Sequence, residues 1–137
     1  MKRPIDIHKA GGVIIQNRKF LVTRSVNKTF FIAPGGKLEG NENSIQALAR
    51  EMMEEVQVRI NTQTLESLGS FVAKAAGKED KVLQMDVFII HDYDGMPTPS
   101  NEVEEIKWIN TKTTEIDLGS IFEHEVMPIL KERNLID

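Results

Sequence analysis

The segment Gly36 to Val58, GKLEGNENSIQALAREMMEEVQV, decides how the rest of the chain is read. From about Ser44 to Val56, Ile45, Leu48, Ala49, Met52 and Val56 recur at helical spacing and predict an amphipathic helix with one apolar side. Asn43 followed by Gln46 has capping-box spacing, with Asn41 and Ser44 as alternative caps. At about 100° per residue, Glu51, Glu54 and Glu55 fall in one stripe beside the apolar side. Like charges three and four residues apart repel by a few tenths of a kcal/mol. Their place late in the helix costs about 0.3–1 kcal/mol each against the macrodipole. Arg50 supplies one cation against three anions, so the balance calls for something more. A hard divalent cation meets that need, because Mg²⁺ or Mn²⁺ prefers carboxylate oxygens and commonly bridges them to phosphates. The bland reading is a solvated acidic face. Against it, six fixed positions of this pattern recur by chance in such a chain only about 10⁻⁵ to 10⁻⁶ of the time.

Strand signals surround this helix. Ala10 to Gln16, with Val13-Ile14-Ile15, and Phe20 to Thr23 flank Asn17-Arg18-Lys19 and predict a hairpin. Phe30 to Ala33 predicts a strand that stops at Pro34-Gly35-Gly36 in a sharp loop. Leu65 to Ala73 and Val82 to His91 predict two further strands, the second an almost unbroken apolar run suited to burial, with Lys74 to Lys81 as their turn. Asp92 to Asn101 reads as a loop, Glu105 to Asn110 as a short strand around Trp108, and Phe122 to Leu130 as a helix that Pro128 kinks or interrupts. Strands interleaved with two helices favour an α/β sandwich in which helices cover a mixed sheet.

Composition narrows the function classes. At 137 residues, with no repeat or linker-like stretch, the chain is expected to form one domain spanning 1–137. A net charge of −4 offers no general affinity for a nucleic-acid polymer, although local cations or metal allow a small anionic ligand. The absence of cysteine excludes disulfides, thiolate metal sites and thiol nucleophiles. No apolar run is long enough to span a bilayer, and Asp6, His8 and Lys9 break any signal-peptide core after the basic opening residues, so a cytoplasmic location without membrane contact is the expectation.

Gly36, Glu42, Arg50-Glu51, Met52 at an aliphatic position, Glu54-Glu55 and Val58 together resemble the Nudix box of MutT-type pyrophosphohydrolases, and Pro34-Gly35-Gly36-Lys37-Leu38-Glu39 is similar to its usual lead-in. The box covers about a sixth of the chain; the strand order and the Glu-rich segment before Trp108 are similar too. The resemblance implies an α/β/α sandwich with a mixed β-sheet between helices. It implies hydrolysis of a nucleoside diphosphate linked to X, with water attacking phosphorus. The expected cofactor is Mg²⁺ or Mn²⁺. The substrate is a small nucleotide, foremost a (d)NTP, oxidised or not, cut to monophosphate plus pyrophosphate. The alternatives are an ADP-ribose or ADP-sugar pyrophosphatase and a non-catalytic nucleotide-binding module. Monomer and homodimer are both open.

Carried over by position, Glu51, Glu54 and Glu55 are the implied metal ligands, with the Gly36 carbonyl as a further one, and Arg50 orients a carboxylate. Glu42 supports the loop and the helix start. The general base is Glu51 or, from a loop, Glu102 and then Glu105, beside the reading of residues 102–105 as a solvated loop. For substrate, Arg24 is similar to a phosphate-facing arginine of the family, against a plain surface role; Gly35 and Gly36 permit close backbone approach; Phe31 either stacks on a base or packs in the core. Trp108 and Phe88 are expected in the core, and His8, His91 and His124, lacking ligand spacing, in structural or surface roles. One position departs: Gln57 stands where the family has glycine. A left-handed helix exit there costs about 1 kcal/mol, so altered exit geometry or lower stability is expected rather than lost activity.

Overall fold

The computed structural model describes residues 4–75 and 78–137; Met1 to Arg3 and Ala76-Gly77, within the expected 74–81 turn, lie outside them. The central strand β1 (Ile7–Val13) runs parallel to β8 (Lys78–Ile89), with Ile7 opposite Leu83 and Val13 opposite Ile89. On its other side β1 pairs antiparallel with β5 (Gly35–Lys37), and β8 pairs antiparallel with β7 (Glu66–Ala75). The resulting order β5-β1-β8-β7 is a mixed sheet. A second sheet joins β10 (Val103–Ile109), β3 (Lys19–Ser25) and β2 (Ile15–Gln16). Short pairs link β4 (Phe30–Phe31) to β11 (Asp117–Leu118) and β6 (Arg59–Ile60) to β9 (Tyr93–Asp94).

These pairings correct several sequence expectations. The apolar run 10–16 is divided between two sheets at Ile14, so the hairpin is only the β2–β3 ladder, turned at Asn17 and Arg18 with φ of 52° and 61°. The expected 30–33 strand is Phe30–Phe31 with a bridge at Ile32 and does stop at the bend at Pro34, but Gly35 to Lys37 form no loop and add a sheet edge beside β1. Within the expected 92–101 loop, Tyr93 and Asp94 form β9.

Strand alternation sends side chains to two opposite cores. Ala10, Ile14, Leu21 and Ile90 pack with Leu48, Met52 and Val56 of α1 (Ser44–Val56), while Val13, Phe20, Val22, Met85 and Val87 pack with Phe122, Val126 and Leu130 near the C-terminus. The sheet region thus lies between helices. Gly12 permits the close approach of α1: a Cβ there would stand 2.5 Å from Ile90 Cδ1 and 3.1 Å from Leu48 Cδ1. Phe88 and Trp108 are partly buried against the α1-side core.

Helix α1 has the expected span. Asn43 accepts the Gln46 amide at 2.8 Å, and the Gln46 side chain accepts the Asn43 amide at 2.9 Å, which closes the capping box and selects Asn43 as the cap. Ile45, expected on the buried side, is 37% exposed, and Ala47 is buried in its stead. The C-terminal helix departs further: a π-helical stretch, Phe122–Val126, precedes α2 (Met127–Glu132), and Met127 donates its amide to Phe122. Pro128 lacks an amide and would crowd the carbonyl four residues back, and the wider turn accommodates it. No described helix is long and apolar enough to cross a membrane.

Asp86 ties the start of α1 to the sheet. Its carboxylate accepts from Ser44 of α1, Ser70 of β7 at 2.7 Å and Gln84 at 3.0 Å, and lies 2.6 Å from His8 Nε2 of β1. Burial works against its charge, but these hydrogen bonds outweigh it and hold the pKa at about 2, below the ordinary 3.8. At the other end, Gln57 keeps the left-handed exit (φ 58°, ψ 36°), so the exit geometry is unchanged and only the strain of a non-glycine residue remains.

Two stability measurements follow from these helix ends. Gln57→Gly, whose side chain is exposed, is expected to stabilise the fold by about 0.5–1 kcal/mol in chemical denaturation. Asp86→Asn is expected to cost about 1–2 kcal/mol at neutral pH. Because the folded-state pKa of Asp86 is depressed, its contribution is complete above about pH 4 and disappears as pH falls toward 2; the gap between wild type and variant should close over that window.

Candidate functional site

The acidic face of α1 meets the sheet at β5. Alternation along the β1–β5 ladder, set by the Gly12 amide to Pro34 carbonyl and Leu38 amide to His8 carbonyl bonds, places Gly36 opposite Ala10 as the bonded pair between them. The Gly36 carbonyl therefore faces β1, contrary to its expected place among the metal ligands. Its contact with the helix is steric: a Cβ at Gly36 would lie 2.6 Å from the Glu51 carboxyl carbon. The neighbouring Gly35 points its amide outward, donating to Glu55 Oε1 at 2.7 Å. Glycine thus brings the β5 backbone against two carboxylates.

Arg50 organises the other side. Its guanidinium donates to Glu42 at 2.8 and 2.9 Å, to Glu51 Oε1 at 2.8 Å, to Glu54 Oε2 at 3.4 Å and to the Lys37 carbonyl at 3.0 Å. Glu42 also accepts the Glu39 amide at 2.9 Å, and the Arg50 hydrogen bonds followed by that amide hold its pKa at about 2. The bonds that Arg50 donates, first to Glu42 and then to Glu51, raise its own pKa. Glu42 is therefore a clamp on Arg50 as well as a loop support.

The three carboxylates of α1 differ in environment. Glu51 is largely buried, and burial raises its pKa against the pull of Arg50. Glu55 is pushed up to about 8, first by burial and then by the charges of Glu51 and Glu102, with the Gly35 amide opposing. Glu54 is more open, with its side chain 43% exposed. Among the described residues no three acidic or imidazole side chains converge tightly enough to form a ready metal cage. The donor set nonetheless fits a hard divalent cation: three neighbouring carboxyl groups offer oxygen ligands, and burial raises the Glu55 pKa, an effect a bound cation would oppose. Glu51, Glu54 and Glu55 are the residues that could hold it.

Sequence reasoning placed Glu102 near this site, and its charge does act on both Glu51 and Glu55. It missed Lys9, half-buried on β1, whose pKa is lowered by burial and by Lys37 and Lys28, while Glu55 and Glu51 oppose. A lone lysine in an apolar strand was the available signal.

An open cleft of ≈ 590 Å³ is lined by Arg24, Lys28, Phe31, Glu105, Lys107 and the segment Thr114 to Asp117. Arg24 is held there by Glu104 at 2.7 Å, Glu105 at 3.3 Å and the Lys28 carbonyl at 3.2 Å. Glu105 is thus engaged by Arg24 rather than presented to the α1 carboxylates. Phe31 is only 4% exposed, so it packs as a core aromatic and has no free face to stack broadly on a base; Lys107 Nζ lies 5.9 Å from its ring centroid. The 114–117 wall was not foreseen, because β4–β11 pairing brings it in from more than 80 residues away. His91 pairs with Glu66 and His124 lies by Glu123, both away from the site.

A family model described as NUDIX domain matches residues 6–128. A Proteus vulgaris protein named 8-oxo-dGTP diphosphatase is 41% identical over 64 residues, covering 43% of this chain and 57% of that protein. An uncharacterized Nudix hydrolase of Bacillus subtilis (strain 168), YvcI, is 25% identical over 96 residues, covering 70% of this chain and 61% of that protein. The chain therefore spans about three fifths of the length of these curated relatives. Among solved structures, a MutT protein from Methanosarcina mazei Go1 superposes with a TM-score of 0.77 over 98% of both chains at 20% identity. A MutT NUDIX hydrolase from Burkholderia pseudomallei gives 0.73 over 92% and 95% at 19% identity. At such identities these structures show a shared fold, the mixed sheet with flanking helices described above.

The two glycines of β5 should respond differently to a methyl group. In Gly35→Ala the new Cβ would stand 2.0 Å from the Ala10 carbonyl oxygen at a φ of +151°, so a loss of more than about 2 kcal/mol is expected in denaturant titration. In Gly36→Ala the obstacle is the end of the flexible Glu51 side chain, so stability should change by less than about 1 kcal/mol while Mn²⁺ binding weakens. Unchanged Mn²⁺ affinity in folded Gly36→Ala would remove Glu51 from the metal site.

Proposed function

We propose that this chain, which belongs to the NUDIX domain family, is a divalent-metal-dependent pyrophosphohydrolase acting on a nucleoside diphosphate linked to X, and that residues 1–137 work as one domain. The observation that carries the reading is the arrangement of Glu51 and Glu55 against the Gly35-Gly36 backbone, with Arg50 locking Glu51 and Glu54 in place. A (d)NTP, oxidised or not, is the proposed substrate. The similarity to the Proteus vulgaris 8-oxo-dGTP diphosphatase supports it, and the cleft lined by Arg24, Lys28 and Lys107 offers cations for a phosphate chain beside the acidic Glu105, Glu115 and Asp117.

Bound Mg²⁺ or Mn²⁺ would neutralise phosphate charge and acidify water. Glu51, Glu54 and Glu55 are the residues that would hold it through their carboxylate oxygens. Arg50 holds the Glu51 carboxylate at 2.8 Å, which limits the geometries from which it can act. Glu51, or Glu102 from its loop, accepts the proton of the attacking water. The hydroxyl adds to phosphorus, the bridging P–O bond breaks, and pyrophosphate leaves from a nucleoside monophosphate. In this reading Arg24 and Lys28, which line the cleft, steady the phosphate chain, Arg24 by exchanging its bonds to Glu104 and Glu105 for bonds to substrate.

Incubation with a nucleotide panel in Mg²⁺ and Mn²⁺ tests the reading: nucleoside monophosphate with pyrophosphate is expected from a (d)NTP. AMP with a sugar phosphate from ADP-sugars alone would move the substrate assignment, and no product at all would refute the enzyme. Glu54→Gln and Glu55→Gln should lower turnover by at least about 10²-fold with circular dichroism unchanged. Full activity in both would overturn the metal assignment.

A further inference from the structure

At the C-terminal end of α1 the last four carbonyls each have an identifiable donor, only the first of them within the helix's own hydrogen-bond pattern. Met53 accepts the Gln57 amide at 3.2 Å, within the chain's own turn. The remaining three are taken by the loop before β10. Glu54 accepts the Ser100 hydroxyl at 2.5 Å, Glu55 accepts the Ser100 amide at 3.0 Å, and Val56 accepts the Thr98 amide at 3.0 Å. One residue, Ser100, thus grips the backbone of the two glutamates at the end of the acidic stripe.

The same loop continues directly to Glu102. Ser100 offers its carbonyl to the Val103 amide at 3.0 Å, and the Glu102 carbonyl accepts the Val26 amide at 2.8 Å, so both sides of Glu102 are fastened. The Glu102 charge acts on Glu51 and Glu55. Two sets of carboxylates, one on a helix and one on a loop about 50 residues later, are therefore joined through a single short crosslink of hydrogen bonds. Without it, their separation would depend on a loop that contains Gly95, Pro97 and Pro99 and makes no regular ladder after Asp94.

We infer that Ser100 is a positioning residue for the acidic site, setting through its hydroxyl and amide the placement of Glu54 and Glu55 relative to Glu102 and hence the affinity of the site for a divalent cation. The inference rests on the metal-dependent reading above. It assigns Ser100 no contact with substrate or metal. Thr98 provides an internal contrast, because its hydroxyl bonds only within the loop, to the Met96 carbonyl at 2.8 Å, while its grip on Val56 is by the backbone and survives side-chain removal.

Mn²⁺ titration followed by electron paramagnetic resonance, on the nucleotide-free protein, separates the outcomes. Ser100→Ala is expected to weaken Mn²⁺ binding about tenfold, Ser100→Thr to restore it to within about threefold, and Thr98→Ala to leave it unchanged. With dGTP as substrate, the Mn²⁺ concentration giving half-maximal rate should shift in parallel. Wild-type affinity in Ser100→Ala, or an equal loss in Thr98→Ala, overturns the positioning role while leaving the proposed hydrolase intact. A wild-type chain that binds no Mn²⁺ overturns both.

Discussion

The Arg50 guanidinium is surrounded by the carboxylates of Glu42, Glu51 and Glu54 and by the Lys37 carbonyl, and most of the site's order depends on that one cation. A planar group with five donors can satisfy several acceptors at once, which a lysine ammonium cannot do with the same fixed directions. By bonding to Glu42 and the Lys37 carbonyl it fastens the 37–42 segment to the helix; by bonding to Glu51 it selects the direction in which that carboxylate can act. The carboxylates still outnumber the cation that binds them, and burial disfavours the charged form of Glu51 and Glu55 in the absence of a further cation.

That arrangement requires α1 to lie close to the sheet, and the sheet is built to allow it. Gly12 leaves room for Leu48 and Met52, Gly35 and Gly36 leave room for Glu55 and Glu51, and the capping box with the Asp86 network fixes where the helix begins. The far end is fixed by the loop at Thr98 and Ser100. A helix held at both ends cannot slide along its axis without breaking hydrogen bonds, so the stripe of glutamates keeps one position relative to β5. Stability and chemistry therefore share the same contacts.

Much of this was legible beforehand. The span of α1, its Asn43 cap and the helix–sheet–helix architecture follow from periodicity, capping chemistry and the resemblance of the Gly36–Val58 segment, all of which are local in the chain. Ile45 was misplaced because a periodic pattern does not reveal where the apolar partner surface ends. Glycine and proline weaken the local strand signal at Pro34-Gly35-Gly36, yet pairing with β1 draws Gly35 and Gly36 into a strand. Gln57 shows the reverse case: backbone hydrogen bonds at the helix end impose a left-handed conformation on a residue that does not favour it.

By itself, the sequence determined the residue types and spacing of the acidic helix, and thereby the family and the chemistry open to it: an i, i+3, i+4 pattern places side chains on one helical face whatever the surroundings. Only the tertiary structure decided which carboxylates are buried, that the Gly36 carbonyl turns toward β1, that Arg24 and the 114–117 segment share a cleft, and that Ser100 grips α1. Those outcomes depend on long-range strand pairing and on the water removed by it. Neither is encoded in any short stretch, because each arises where distant segments meet.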